Sequence, residues 1–189
     1  MRKASLWLVV LVALIVAGTA VVSRGLGFTA RTAAWPLEER VMRGARRWAT
    51  PTAIRQQANP VAATDDVVKA GLEHWADHCA TCHANDGSGD TSMGRSLYPP
   101  APDMRAPRTQ SMTDGELFYV IERGIPFTGM PAWGTGTADG ETSSWALVRF
   151  IRHLPVLSAQ EIAAMETLNP KSAADGARQH DIDEFLSGK

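Results

Sequence analysis

The hydrophobic pattern is strongest at the start of the chain. Arg2 and Lys3 precede an uncharged stretch of 18 residues, Ser5–Val22, which is rich in Leu, Val, Ala and Ile. A membrane-spanning helix needs roughly 20 such residues, whereas the apolar core of a signal peptide has roughly 7–15. We therefore expect residues 1–23 to form a single-pass membrane anchor. The small residues near Ala20 leave cleavage of a signal segment as the alternative.

Residues 24–63 form a basic connector with one amphipathic stretch. Apolar residues recur there at helical spacing, at Leu37, Val41, Ala45 and Trp48, with Arg40, Arg43, Arg46 and Arg47 between them. One interpretation is a helix on the membrane surface, its arginines near lipid phosphates. The other is a solvated helix between the anchor and the domain. Pro51 and Asn59-Pro60 then mark a linker.

From Thr64 the pattern predicts a helical domain over residues 64–155. A first helix carries Val67, Val68, Leu72 and Trp75 on one face, and Thr113-Asp114-Gly115-Glu116 caps a second helix. We expect Ser143 or Ser144 to cap a third helix that Pro155 ends. Residues 156–189 are predicted to be a C-terminal helix, with Ser158 and Glu161 as its capping box, followed by a polar tail. No strand pattern occurs, so the predicted class is all-α.

Charge is distributed unevenly along the chain. Residues 1–63 carry a net charge of +7, residues 64–155 carry −5 and residues 156–189 carry −3, which together give −1. Basic residues in the domain are not interleaved with aromatic ones, so the pattern excludes a nucleic-acid partner. An acidic domain instead favours a protein partner with a basic docking patch, because complementary charge accelerates encounter.

Cys79, Cys82 and His83 carry the clearest chemistry in the sequence. The run Cys79-Ala80-Thr81-Cys82-His83 has the spacing of a c-type haem attachment site. Two thiols three positions apart at the end of a helix can each add to one haem vinyl group, and the next imidazole can then reach the iron. A disulfide would close only a very small loop, and no strand precedes Cys79 as a thioredoxin-like pair would require. With no other cysteine pair, we expect one covalently attached haem c.

An electron-transfer haem also needs a second axial ligand, usually Met or His. Four methionines lie in the predicted domain: Met93, Met104, Met112 and Met130. Met130 lies between Gly129 and Pro131, which favour a loop, and a loop can bring a thioether onto the far face of a flat cofactor. We therefore predict His83 and Met130 as the iron ligands.

In the order of these motifs the sequence resembles the class I mono-haem cytochromes c with His/Met ligation, over about residues 64–155. The resemblance implies a small helical domain wrapped around one haem, in which the first helix, with Gly71 and Trp75, crosses the last, which opens with Trp145. It also implies that a carbonyl of the proline loop accepts the proton of the axial His. Pro102 is the best match for that carbonyl, with Pro99 and Pro100 as alternatives. Candidates for neutralising the haem propionates are Arg95, Tyr98, Arg105 and Arg108.

The function expected from these features is single-electron transfer by a membrane-anchored cytochrome c, with its haem domain in the periplasm. A thioether ligand favours ferrous iron and so raises the reduction potential. The expected partners are redox proteins of a respiratory chain, namely a membrane dehydrogenase, an oxidase or a soluble electron carrier, together with membrane lipid. The alternatives are a haem enzyme or ligand sensor with a labile Met130, or the haem subunit of a larger dehydrogenase or oxidase complex.

Overall fold

The structure is a computed structural model that describes residues 2–26, 29–30, 34–170, 184 and 187. Within those residues every regular element is helical, which confirms the all-α class. Helices α1 to α10 are Arg2–Leu26, Pro36–Ala49, Thr52–Arg55, Asp65–His74, Ala80–His83, Ser92–Ser96, Pro107–Gln110, Asp114–Arg123, Ala138–His153 and Ala159–Leu168. A π-helical turn, Trp75–Cys79, joins α4 to α5, and a 3₁₀ turn, Leu154–Val156, follows α9. Most of the predicted polar tail lies outside the described residues.

The chain divides into two compact units, residues 1–32 and 33–189. The first contains α1, in which Leu6–Gly25, 20 residues, is long and apolar enough to cross a membrane by length and composition alone. Large apolar side chains along this helix, such as Leu6, Leu11 and Ile15, are exposed.

The second unit is built on the crossing of α4 with α9. A Cβ atom on Gly71 would overlap the carbonyl oxygen of Ala146 and would lie 2.8 Å from Phe150 Cβ, so only glycine allows the two backbones to approach this closely. Trp75 and Phe150 fill the space beside the crossing with ring centroids 5.7 Å apart, and both are buried. Gly71 therefore lies at the helix crossing, as the resemblance to class I cytochromes c implies.

Helix α9 begins earlier than the sequence predicts, so the expectation of a cap at Ser143 or Ser144 is wrong. The N-cap is Thr137, whose hydroxyl accepts from the Gly140 amide, and acidic residues occupy the first turn. Both serines lie inside the helix, where Ser143 Oγ donates to the Asp139 carbonyl and Ser144 Oγ donates to Glu122 at 2.6 Å. Both hydroxyl groups therefore donate hydrogen bonds and do not cap a helix N-terminus.

Helix α2 and the segment behind it pack on the domain. Glu38 accepts from the Tyr98 hydroxyl at 2.7 Å, and Glu39 pairs with Arg108 at 3.1 Å. Farther along, Asn59 donates to the carbonyl of Trp145 in α9, and Arg149 donates to the carbonyl of Val61. Residues that the sequence places in the connector are therefore hydrogen-bonded to the helical domain.

Helix α10 has the predicted capping box at its start. Ser158 Oγ accepts from the Glu161 amide while the Glu161 carboxylate accepts from the Ser158 amide, and this carboxylate also bonds His153 at 2.7 Å. The hydrogen bond from Ser158 and the proximity of His153 hold the pKa of Glu161 below its ordinary value of 4.5, although partial burial opposes the shift. The box thus joins the start of α10 to the end of α9.

Glu161→Gln is expected to destabilise the protein at neutral pH, by less than about 1 kcal/mol because the site is partly solvated. Since the folded pKa is depressed, the stabilisation by the ionised carboxylate is fully present above pH 4.5 and is lost as the pH falls through the folded value. Urea unfolding of the variant and the wild type at pH 7 and pH 3 checks this. A difference in free energy of unfolding that stays the same at the two pH values would contradict it.

Candidate haem site

The two cysteines lie on one short stretch of helix. Cys79 ends the π-helical turn, Cys82 lies in α5, and both are free thiols. Burial, reinforced by the neighbouring Cys82, raises the pKa of Cys79 to about 12. Burial also raises the pKa of Cys82. The thiols are therefore protonated at neutral pH.

His83 follows at the end of α5 with its ring largely enclosed. The indole of Trp75 lies 5.6 Å from the imidazole, centroid to centroid, and Trp75 Nε1 donates to the Ala84 carbonyl at 3.0 Å. Burial lowers the pKa of His83, and the nearby carbonyl of Pro102 opposes that shift. Even so, Nδ1 of His83 is buried with no partner at normal hydrogen-bond geometry, so the Pro102 carbonyl stands close to it without completing a bond. The imidazole is neutral at pH 7 and available to a metal.

The chain after His83 folds back over the helix that carries the cysteines. Ala84 takes a left-handed conformation with φ of 62°, which turns the chain sharply out of α5. The Gly89 amide then donates to the His83 carbonyl, and the Thr91 hydroxyl donates to the Thr81 carbonyl at 2.8 Å. These bonds hold the cysteine helix from one side. The sequence pattern did not single out Thr91, which is also the N-cap of α6 and accepts from the Gly94 amide.

Met130 lies in a tight loop between α8 and α9. The Ile125 amide donates to the Met130 carbonyl, and the Met130 amide donates to the Thr128 hydroxyl at 3.1 Å. The Trp133 amide donates back to Ile121 in α8. Met130 itself is half-buried. The hydrogen bonds of the loop fix the backbone from which its side chain extends.

The other three methionines of the domain have different surroundings. Met104 and Met112 pack against the hydrophobic core, and their sulfur atoms lie near the Thr109 hydroxyl and an Arg46 guanidinium respectively. Met93 is 49% exposed. Of the four, Met130 combines partial burial with a loop position that is independent of the core.

One loop, residues 97–103, touches both sides of the site. At one end a Cβ atom on Gly129 would lie 2.5 Å from the Leu97 side chain, so Leu97 sits directly on the residue before Met130. Near the other end, the carbonyl of Pro102 faces His83. The Met130 loop and His83 are therefore both in contact with the segment 97–103. No sequence motif predicts the contact of Leu97 with Gly129.

Residues 66–151 match the family model described as cytochrome C oxidase, cbb3-type, subunit III. This segment is a c-type cytochrome domain. It has the class I cytochrome c fold, carries covalently bound haem c and serves electron transfer. The match contains the Cys79–His83 run, the proline loop, the Met130 loop and most of α9.

The residues of the cytochrome domain fit a haem. A c-type haem needs two free thiols for its vinyl groups and side chains such as imidazole and thioether for its iron, and all of these are present here. The buried indole of Trp75 next to His83 adds apolar surface of the kind that a porphyrin requires. Cys79, Cys82, His83 and Met130 are the residues that would hold the group.

The four candidates for neutralising the propionates all have carboxylate partners in this structure. Arg95 pairs with Asp90, Arg105 with Asp103 and Asp86, Arg108 with Glu39, and the Tyr98 hydroxyl donates to Glu38. A propionate would therefore compete with an existing carboxylate at each of these positions.

Proposed function

We propose that the chain is a membrane-anchored, mono-haem cytochrome c with His83 and Met130 as iron ligands, which passes single electrons between respiratory-chain partners on the periplasmic side. The observation that carries the proposal is the buried, partnerless nitrogen of His83 next to the Pro102 carbonyl, directly after two free thiols. A second-shell acceptor of this kind sets the tautomer of an axial histidine. We propose Pro102 for that role, Cys79 and Cys82 for the thioether bonds, and α1 for the anchor.

When bound, the haem supplies a one-electron iron couple. The protein side chains set its properties: a thioether at Met130 favours the reduced iron, and an acceptor at Pro102 makes the His83 imidazole more basic. With both axial positions occupied by protein, no open position is left for oxygen or peroxide. This arrangement supports electron transfer over catalysis at the iron.

The proposed organisation follows the sequence: an anchor over residues 1–23, a connector over 24–63, the cytochrome domain over 64–155, and a C-terminal helix with a polar tail over 156–189. The proposed partners are a membrane dehydrogenase, an oxidase or a soluble carrier. A role as the haem subunit of a larger complex is the second candidate, because the matching family model describes an oxidase subunit. Purification from mild detergent distinguishes the two, since a subunit would co-purify with other membrane chains.

Carbon monoxide binding tests electron transfer against the alternative of a ligand sensor or haem enzyme. A thioether-ligated ferric haem shows a weak absorption band at the red end of the spectrum, and the ferrous form resists carbon monoxide. We expect both properties in the wild-type holoprotein. Ready binding of carbon monoxide by the reduced wild type would favour the sensor.

Met130→Leu is expected to abolish the red-end band and open the ferrous protein to carbon monoxide, because a branched alkane cannot ligate iron. The reduction potential should fall by on the order of 0.1 V or more, since axial ligands set haem potentials over a range of about 0.8 V. Spectroelectrochemical titration measures this. Met93→Leu, at an exposed position, is the matched control. A Met130→Leu protein that keeps the band and the wild-type potential would remove Met130 from the ligand set.

A further inference from the structure

We propose that α2 is a membrane-surface helix whose outward apolar stripe, Leu37, Val41 and Trp48, enters the interface of the lipid bilayer and orients the cytochrome domain. The inference rests on the membrane anchoring proposed above and adds a second contact with the membrane. The anchor would keep the cytochrome domain close to the bilayer, and α2 would set its orientation there.

The evidence begins with the direction in which α2 faces. An amphipathic helix on a soluble domain normally buries its apolar side and exposes its polar side. Helix α2 does the reverse, because its contacts with the domain are polar. They are Glu38 with Tyr98, Glu39 with Arg108, Arg47 with Glu116 at 3.4 Å, and Arg46 with the sulfur of Met112 at 3.6 Å.

The opposite side of α2 is apolar and exposed. Leu37 is 68% exposed, Val41 58% and Trp48 87%. With about 3.6 residues per turn, these positions fall within about 40° of one another around the helix. Gly44 lies on the same side, and a Cβ atom there would meet nothing within 4 Å. The helix thus presents a narrow, continuous apolar stripe away from the domain.

Lipid is the occupant that fits this stripe. Nine residues separate Leu26 from Pro36, and a chain of that length spans at most about 35 Å. With α1 in the bilayer, the start of α2 can therefore lie no farther than about 35 Å from the end of the span. The exposed side chain of Arg40 lies beside the stripe, where headgroup phosphates would meet its guanidinium group.

A protein occupant fits less well because the stripe is small. Three side chains present on the order of a few hundred Å², whereas each partner in a stable interface between two chains buries about 600 Å² or more. A helix that is already tethered to the bilayer needs no such area. Tryptophan is also the side chain that membrane interfaces favour, since its ring is apolar and its N–H is polar.

Seating α2 in the bilayer would fix the orientation of the haem site. Glu38 at the start of α2 holds Tyr98, and the adjacent Leu97 packs on Gly129, the residue before Met130. The path from α2 to the Met130 loop therefore consists of one exposed hydrogen bond and one side-chain contact. A redox partner in the same membrane would then meet one defined face of the cytochrome domain.

A depth measurement on the full-length holoprotein tests the lipid contact. Gly44→Cys is labelled with an environment-sensitive fluorophore and reconstituted at one chain per nanodisc of phosphatidylcholine and phosphatidylglycerol. Glu73→Cys, exposed on α4, is the matched control. We expect blue-shifted emission and strong quenching by spin-labelled lipid at position 44 only. Equal, weak quenching at both positions in a protein that stays with the discs would overturn the inference and leave the anchor intact. Loss of the protein from the discs would refute the anchor as well.

The polarised absorption of the haem in oriented bilayers tests the orienting role. The wild type should show Soret dichroism, and Leu37→Ser with Trp48→Ser should lose it while keeping the absorption spectrum and membrane association. The control pair is Val156→Ser with Leu168→Ser, which changes apolar residues that are also exposed, at 72% and 41%. Unchanged dichroism in the α2 variant would overturn the inference. So would shielding of position 44 that arises only when two chains share a disc, because the occupant would then be a second copy.

Discussion

A chain with Cys79→Ala and Cys82→Ala is expected to yield all of its haem to acidified organic solvent. In the proposed attachment, each thiol of the wild type would add across one vinyl group, its sulfur bonding to the porphyrin and its hydrogen moving to the neighbouring carbon. Alanine has no such atom, and His83 and Met130 would then bind the haem only through iron, which acid releases. Intact mass measures the outcome directly: the wild type carries the mass of one haem and the double variant does not.

The single variants are the controls for this experiment. Cys79→Ala and Cys82→Ala should each keep one thioether bond and hence the haem mass after extraction. Haem retained by the double variant through acid extraction would contradict the assignment of both cysteines. A wild type with the mass of two haems would contradict the prediction of a single group.

Gly71→Val is expected to cost about 3 kcal/mol in the free energy of unfolding, because side chains forced into a packed core displace its backbone. Gly71 lies against the carbonyl of Ala146, so the clash is with backbone and no rotamer change relieves it. The two helices would have to separate, and Trp75, which packs between the crossing and His83, would move with them. Urea unfolding of the holoprotein, followed by circular dichroism, gives the value.

Gly44→Val is the matched control, since it makes the same substitution in a helix with open space around it. It should change the free energy of unfolding by less than about 0.5 kcal/mol, because valine is only slightly more favourable than glycine in a helix. Equal stability of Gly71→Val and wild type would show that α4 and α9 do not cross as tightly as described.

Periodicity and caps in the sequence predicted the helices of the domain well. The stretch from Val67 to Trp75 lies in α4 and the turn that follows it. Thr113 caps α8 and Ser158 forms its capping box, as expected. These elements depend on local chemistry, which a short window of sequence contains. The all-α class and the class I cytochrome c fold follow from their order and are confirmed.

Some features could not be predicted because they depend on contacts between residues far apart in the sequence. Others could not be predicted because several nearby residues are equally suitable as an N-cap. Thr137, Ser143 and Ser144 are all good N-cap residues, and only the contact of Ser144 with Glu122 in the neighbouring helix shows that the serines lie inside α9. The orientation of α2 was open for the same reason, because the pattern of apolar residues does not say which side meets the domain. The π-helical turn Trp75–Cys79 adds one residue to a helical turn, and no characteristic amino acid marks such a turn in a sequence.

The loop that links Leu97 to Gly129 and Pro102 to His83 connects the surroundings of the two proposed iron ligands. A one-residue deletion between positions 98 and 101 would shift the packing behind Met130 and withdraw the acceptor from His83 together. In related chains, insertions and deletions should therefore fall outside residues 97–103. Differences in reduction potential should instead come from different side chains along this loop, with its length unchanged.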